Sequence, residues 1–257
     1  MDATIVRIQR FPIKGLSPEP LEKIELTAGD GLPMDRMYGF ARHGSGFDPN
    51  DPTPLPKDKF VVLLTQEALA SLQTSFDPGS GAFLVSGPQG QVRFDLSTAH
   101  GREKAETWLS EYLALADDEP PSFVHAAPHR FTDVSVVSPQ MMNAVSLLNH
   151  ASVQDLSKRL NTDIDPARFR ANIEIAGLPA WWELENVGAI LKCGDITFRL
   201  IKRTQRCAAT EVNPTTAARD LKLPYLLRKE LGHMDMGVYA EVLTGGILKT
   251  GAVLSPQ

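Results

Sequence analysis

The first third of the chain alternates between apolar and polar positions in short stretches that end at proline or glycine. Residues 5–11 form one such stretch, closed by Pro12, and residues 21–27 form a second with its charged residues on one side. A period of two is typical of a half-buried strand. Residues 60–64 are continuously apolar, which predicts a short strand buried on both faces.

Between these stretches lies a segment with too much proline and glycine for a sheet or a helix. Residues 43–59 contain four prolines and two glycines. Proline donates no hydrogen bond to a sheet ladder, so this composition predicts a long surface loop. Loops of this length are often functional, and we expect this one to be a candidate lid.

Three segments have the spacing of an amphipathic helix. Residues 103–116 place apolar side chains on one face. Ser152 is expected to begin a second helix, with Asp155 three residues on in an arrangement close to a capping box. A third helix has Pro224 in its first turn and Gly232 after its last turn.

Strand patterns return in the second half of the chain, at residues 172–176, 188–191, 195–201, 236–243 and beyond the glycine pair 245–246. Short strands without strand–helix alternation predict a mainly β (α+β) protein, a barrel or a sandwich with peripheral helices. The acidic, proline-containing residues 117–121 are the best candidate boundary. We therefore expect two domains, at residues 1–121 and 122–257.

Composition narrows the function and the location. The 257 residues are 42% hydrophobic and 22% charged, which excludes disorder over most of the chain. A net charge of -5 argues against a general binder of nucleic acid or of anionic membranes. Two cysteines are too few for a disulfide scaffold. With neither a signal peptide pattern nor an apolar run of about 18 residues, the sequence predicts a cytoplasmic protein without a membrane partner.

Common catalytic signatures are absent from the sequence. It contains no Walker A run, no G-x-S-x-G, no H-E-x-x-H and no G-x-G-x-x-G between a strand and a helix. Two basic segments remain. Lys14 precedes Gly15 at a strand end, where an ammonium group and free backbone N–H groups suit phosphate; the alternative is a solvated lysine. Arg168, Arg170 and Asn172 suit an anionic ligand, and the alternative is an arginine paired with a local aspartate.

Cys207 is the third candidate. Three basic residues precede it: Lys202, Arg203 and Arg206. Such neighbours favour the thiolate, which is the form that acts as nucleophile or metal ligand. The alternative is an inert buried cysteine, which suits Cys193 better. A cysteine–histidine hydrolase would require His233 to approach Cys207.

Together these segments resemble the MOSC superfamily, the molybdenum cofactor sulfurase C-terminal domain proteins, over nearly the whole chain. Residues 12–14 and 31–36, Pro-Ile-Lys and Gly-Leu-Pro-Met-Asp-Arg, resemble the N-terminal β-barrel domain of longer members. The marks of the MOSC domain itself are residues 147–152, 168–172, 206–210, 213–214 and 237–242. The resemblance implies a closed β-barrel of the pyruvate kinase type, preceded by an N-terminal β-rich domain.

The resemblance also implies a molybdopterin-type cofactor between the two halves. Its metal would be bound by Cys207. The residues that match its phosphate and pterin contacts are Lys14, Arg36, Arg170 and Asn172. Asn149 and Ser152 match polar contacts at the start of a helix. Gly15 stands where many members have serine.

The amidoxime-reducing members imply a function. It is the reduction of N-hydroxylated small molecules by oxygen-atom transfer at a cysteine-bound molybdenum. Because no cysteine cluster for an iron–sulfur centre is present, we expect a separate electron donor, such as a ferredoxin, a flavin reductase or a cytochrome. The alternative is a carrier of the cofactor or of sulfur, with Cys207 as sulfur acceptor. A third possibility is a cysteine enzyme without a cofactor.

Overall fold

The computed structural model describes residues 1–116 and 119–257. Its strands are β1 (Ala3–Arg10), β2 (Glu19–Leu21), β3 (Lys23–Leu26), β4 (Tyr38–Ala41), β5 (Gln73–Asp77), β6 (Ala82–Gly87), β7 (Gly90–Asp95), β8 (Ser122–His125), β9 (Val145–Asn149), β10 (Ile173–Ala176), β11 (Ile190–Cys193), β12 (Ile196–Gln205), β13 (Asp235–Thr244), β14 (Gly246–Lys249) and β15 (Val253–Pro256). Its helices are α1 (Ala99–Leu113), α2 (Pro139–Met142), α3 (His150–Leu160), α4 (Trp182–Glu185) and α5 (Leu223–Leu231). Short 3-10 turns lie at Lys57–Lys59, Glu67–Ser71, Pro166–Phe169 and Ala208–Glu211.

Seven strands close into a β-barrel. Their order is β10, β9, β13, β12, β11, β15 and β1, and β1 pairs with β10 to complete the ring. Only β9 and β10 run parallel to each other; the remaining neighbours in the ring are antiparallel. The prediction of a closed barrel in a mainly β chain is confirmed.

Apolar side chains fill the barrel, so its interior is a packed core and not a channel. Ile5, Leu147, Ile173, Phe198 and Val238 are at most 1% exposed and belong to one cluster. Each such side chain stabilises the fold by about 1.5–3 kcal/mol relative to leaving it in water. The rigid ring fixes where each strand ends, and the site described below lies at those ends.

The barrel takes strands from both ends of the chain. Strand β1 pairs with β10 and β15, and β3 pairs with β14. The sheet therefore crosses the expected domain boundary at residue 121. That boundary stays a prediction, and Asp117 and Asp118 within it lie outside the described residues.

The rest of the N-terminal half forms a second β-rich layer. The antiparallel sheet β5–β6–β7, the pair β4–β8 and the helix α1 pack around a core that includes Phe40, Phe83 and Leu109. Residues 60–64 differ from the prediction. They are mostly buried, but Phe60 forms only an isolated bridge, and the chain then turns, because Val62 O accepts from the N–H of Thr65 and of Gln66. An apolar run alone does not separate a strand from a buried turn.

The three predicted helices exist, and two of them start earlier than predicted. Helix α1 begins at Ala99, where Thr98 caps it, whereas α5 has Pro224 in its first turn and Gly232 after its last residue, as predicted. Helix α3 begins at His150, because Asn149 and not Ser152 provides the cap. Among the helices described, none is both long enough and apolar enough to cross a membrane.

Candidate functional site

A cavity of about 280 Å³ opens where β12 ends, against the turn that follows β1 and the turn that precedes β10. Five of the residues expected at a cofactor site line it: Lys14, Arg36, Arg170, Asn172 and Cys207. They come from segments up to 193 positions apart in the sequence (207 − 14). The barrel ends bring these residues together, whereas Asn149 and Ser152 do not line the cavity.

The cavity wall is strongly basic inside a protein of net charge -5. Its lining includes eight basic side chains: Lys14, Arg36, Lys57, Arg168, Arg170, Lys202, Arg203 and Arg206. Among the residues that the structure describes, Asp133 is the one acidic residue in that lining. Two of the arginines pair with carboxylates outside the wall, Arg168 with Asp220 and Arg36 with Asp35. The remaining excess of positive charge suits an anion.

Lys14 is buried, not solvated. Its ammonium group donates to Phe131 O at 2.8 Å and pairs with Asp133, and its side chain is 4% exposed. Burial lowers the pKa of Lys14, and Asp133 opposes that shift. Although burial would raise the pKa of Asp133, the cations Lys14, Lys57 and Arg36 hold it well below its ordinary value. The carboxylate therefore keeps its charge inside the cation cluster.

Arg36 and Arg170 are held side by side. Both have left-handed backbones, with φ of 53° and 50°, and both guanidinium groups lie over the Phe11 ring at 4.5 and 4.1 Å. Arg36 donates to Arg170 O at 3.1 Å, and Arg170 donates to Leu16 O at 2.7 Å. Burial and the charge of Arg36 lower the pKa of Arg170 to about 9. Strained backbone at two like charges is typical of a prepared binding site.

Arg206 is fixed by backbone carbonyls. It donates to Phe169 O at 2.9 Å and through Nε to Met236 O at 2.8 Å. Burial lowers the pKa of Arg206 to about 10. Gly237, with φ of +70°, makes room here, because a Cβ would lie 2.5 Å from Leu147 O and 3.3 Å from the Arg206 Nη2.

Cys207 lies just after the end of the basic strand β12, in the lining of the cavity. Its carbonyl accepts from Thr210 N at 3.0 Å and starts the turn Ala208–Glu211, while the thiol is partly exposed. Lys57 also lines the cavity, and its Nζ is 3.9 Å from Asp133 Oδ2. Burial alone would lower the pKa of Lys57, but Asp133 and Cys207 raise it above its ordinary value. Sequence analysis missed both Lys57 and Asp133.

Two polar atoms of the wall have no protein partner. Thr204 Oγ1 and Arg168 Nε are buried in the lining and form no hydrogen bond. A buried polar group without a partner is destabilising, by about 1–3 kcal/mol. The alternation of β12, with Phe198 and Leu200 inside the barrel, would have placed Thr204 inward from the sequence.

Asn149 and Ser152 serve a different group. Ser152 Oγ donates to Glu183 Oε1 at 2.8 Å and accepts from Trp181 N, and Asn149 Nδ2 donates to Glu183 Oε2 at 3.1 Å. Glu183 is fully buried and needs these donors. Burial raises the pKa of Glu183, whereas the bonds from Ser152 and Asn149 lower it. We call these residues the Glu183 cluster.

Asn172 lies in the cavity wall with its amide already occupied. Its Oδ1 accepts from Ser146 N and Oγ, and its Nδ2 donates to Gln9 O. It therefore joins β9 to β1 and positions the wall. Gly15 has φ of +86°, and a Cβ there would lie 2.6 Å from Val61 O, so the serine of other members does not fit here.

The cysteine–histidine alternative finds no support in the geometry. No histidine lines the cavity, and His233 Nδ1 accepts instead from Asp235 N at 3.1 Å. Within residues 1–116 and 119–257, no group of three or more His, Cys, Asp or Glu side chains could hold a metal ion. A second cavity, of about 520 Å³, lies against β5 and β6, with Arg93, Glu19 and Asp77 as its charged residues. It lacks a comparable concentration of charge.

Sequence comparison finds relatives that are named amidoxime-reducing components. The chain is 28% identical over 244 residues to mitochondrial amidoxime-reducing component 1 of Mus musculus, covering 86% of this chain and 69% of that protein. It is 26% identical over 168 residues to the protein of that name in Danio rerio, covering 58% of this chain and 50% of the relative.

Among solved structures, the YUAD protein of Bacillus subtilis aligns over 99% of this chain and 94% of its own, at 12% identity and a TM-score of 0.45. The sequence profile of the MOSC domain matches residues 124–255, slightly more than half of the chain. This segment supplies β9 to β13 and β15 of the barrel, together with Arg170, Arg206 and Cys207. The chain therefore belongs to the MOSC domain family.

Proposed function

We propose that this chain binds a molybdenum–pterin cofactor in the basic cavity and reduces N-hydroxylated compounds there, with Cys207 as the protein ligand of the metal. The observation that carries the proposal is the Cys207 thiol, partly exposed at the end of a barrel strand in a wall with eight basic side chains. The names of the relatives, amidoxime-reducing components, supply the substrate class.

The residues present fit such a group. Arg170 and Arg206 are held by carbonyls, and the described structure gives neither of them a carboxylate partner, so their charges favour an anionic phosphate. A soft thiolate suits a metal that is already bound by sulfur.

The protein's own residues supply position and charge. Cys207 fixes the metal at the end of β12, while Lys14, Arg36, Arg170 and Arg206 hold the anionic part of the cofactor. The bound cofactor would supply the two-electron redox chemistry. In the overall reaction the N–O bond breaks, the oxygen leaves as water, and two electrons and two protons are consumed. A separate redox protein provides the electrons. The relatives carry "mitochondrial" in their names, and a cytoplasmic location for this chain remains our prediction.

The test compares the two cysteines. Wild type, Cys207→Ala and Cys193→Ala are expressed in a host that makes the cofactor, and molybdenum and released pterin are measured per protein. Cys193 is the matched control, because it is buried in the barrel core and does not line the cavity. We expect molybdenum in wild type and Cys193→Ala, its loss in Cys207→Ala, and reduction of benzamidoxime with a reduced viologen only where the metal is present.

Two outcomes would overturn the proposal. Equal molybdenum and activity in Cys207→Ala and wild type would remove the role of the thiolate. Protein without pterin that carries a persulfide on Cys207, detected by mass spectrometry, would favour the sulfur carrier.

A further inference from the structure

Lys57 enters the cavity from a segment outside the barrel. It opens the turn Lys57–Lys59 at the end of the proline-rich loop. The next residue, Phe60, is fully buried, donates its N–H to Lys57 O at 3.2 Å and packs on Phe131 with ring centroids 4.6 Å apart. The backbone of Lys57 is therefore anchored, while its side chain is 33% exposed. Lys59, in the same turn, does not line the cavity.

Lys57 also retains hydrogen-bond donors. Lys14 is used by Phe131 O and Asp133, and Arg206 is used by Phe169 O and Met236 O. The Lys57 ammonium group has three N–H donors. Its distance of 3.9 Å to Asp133 Oδ2 exceeds a hydrogen bond, so this ion pair leaves the N–H donors available.

The charge of the wall exceeds what the cofactor would neutralise. Four lining residues have no carboxylate partner in the described chain: Arg170, Lys202, Arg203 and Arg206. Lys14 and Lys57 share the single charge of Asp133. A phosphate monoester brings a charge of about -2. Positive charge therefore remains beside Cys207, where the substrate would react.

We infer that Lys57 binds an anionic group of the substrate, so that this chain prefers N-hydroxylated compounds carrying a carboxylate over neutral ones. The inference rests on the proposed function, since it concerns the substrate of the same site. A carboxylate between Lys57 and the open side of the cavity would take the unused N–H donors. The reacting N–O group would then face the Cys207 end.

The test compares a neutral substrate with carboxylated ones in variants of two lysines. Benzamidoxime and its 3- and 4-carboxylated derivatives are reduced with a viologen donor by wild type, Lys57→Met, Lys57→Arg and Lys59→Met. Lys59→Met is the matched control, because it makes the same charge change two positions away outside the lining. We expect wild type to have a higher kcat/KM for a carboxylated derivative.

In Lys57→Met that kcat/KM should fall about tenfold or more relative to the kcat/KM for benzamidoxime, since a hydrogen bond between charged groups is lost. The change should lie mainly in KM. Lys57→Arg should keep the preference, and Lys59→Met should match wild type.

A second readout separates this inference from the proposed function. Binding of each compound to the oxidised protein without donor is measured by calorimetry. If wild type reduces nothing but binds the carboxylated compound through Lys57, the inference stands and the proposed function fails. If all compounds are reduced and Lys57→Met weakens them equally, or if wild type has no preference in turnover or in binding, the inference fails and the proposed function stands.

Discussion

Buried polar groups have protein partners throughout the Glu183 cluster, but not throughout the cavity wall. In the Glu183 cluster, one buried carboxyl group receives bonds from Ser152 Oγ and Asn149 Nδ2, and Ser152 Oγ in turn accepts from Trp181 N. In the cavity wall, like charges are crowded together and Thr204 Oγ1 is left without a partner. Both regions lie at the ends of barrel strands.

This difference in partners distinguishes polar residues that stabilise the fold from charged residues that would bind a ligand. A buried polar group is stabilising when its partners are in the protein, and it is destabilising when they are absent. The Glu183 cluster is complete without a ligand. In the cavity wall, like charges such as Arg36 and Arg170 repel each other in the free protein, and a bound anion would offset that repulsion.

Two arginines of one short segment provide the strongest test. Arg168 Nη2 donates to both carboxylate oxygens of Asp220, at 2.7 and 2.9 Å, whereas Arg170 has a carbonyl partner and the repulsion of Arg36. We expect Arg168→Met to lower the free energy of unfolding by about 2 kcal/mol, since it strands a charge-assisted pair. Arg170→Met should change that free energy by less than about 1 kcal/mol and lower pterin retention more than tenfold.

Urea unfolding of the cofactor-free proteins and pterin content after gel filtration measure the two effects. Methionine keeps the long side chain in both variants, so packing is comparable. The comparison breaks if Arg170→Met unfolds as readily as Arg168→Met while it retains its pterin.

Much of the fold could be predicted from the sequence, because period-two alternation and turn residues are local signals. The strands around residues 172–176 and 236–243 were placed within a few positions. The sheet order was not accessible, since the pairing of β1 with β10 and β15 joins residues far apart in the chain. The prediction of a strand at residues 60–64 was wrong, because an apolar run fits a buried turn as well as a strand.

The candidate site was predictable only in part. Family motifs identified Cys207, Lys14 and Arg170, whose side chains the barrel brings to one cavity. Motif position did not reveal that Ser152 is used by Glu183, because that partner lies 31 positions away. Lys57 carried no motif, and only the folded turn places it in the same cavity as Cys207.

Ser152→Ala tests the Glu183 cluster, in which the buried polar groups have protein partners. It removes a donor from Glu183 and a partner from Trp181 N. We expect a loss of about 1–3 kcal/mol in the free energy of unfolding and unchanged pterin content. Loss of pterin without loss of stability would return Ser152 to the cofactor site.

The loss of stability caused by Ser152→Ala should depend on pH. Burial raises the pKa of Glu183 above its ordinary value of 4.5. The folded state therefore binds this proton more tightly, and the resulting stability is full at low pH and lost as pH rises above about 4.5 through the raised pKa. The Ser152 bond favours the charged form, so its removal should cost about 1 kcal/mol more at pH 8 than at pH 5. Urea unfolding at both pH values measures the difference, and an equal cost at both would contradict it.

Inorganic phosphate provides the simplest test of the cavity. Burial and Arg36 disfavour the charged form of Arg170 in the free protein, and an anion between the two guanidinium groups would offset that repulsion. At ten times its dissociation constant, phosphate should add about 1.4 kcal/mol to the free energy of unfolding, which raises Tm by roughly 3–5 °C. Thermal unfolding of cofactor-free wild type and Arg170→Met, against sodium chloride at equal ionic strength, measures it. Phosphate also stabilises proteins by exclusion from their surfaces, so the difference between the two proteins is decisive. An equal rise in both would mean that the cavity does not bind the anion through Arg170.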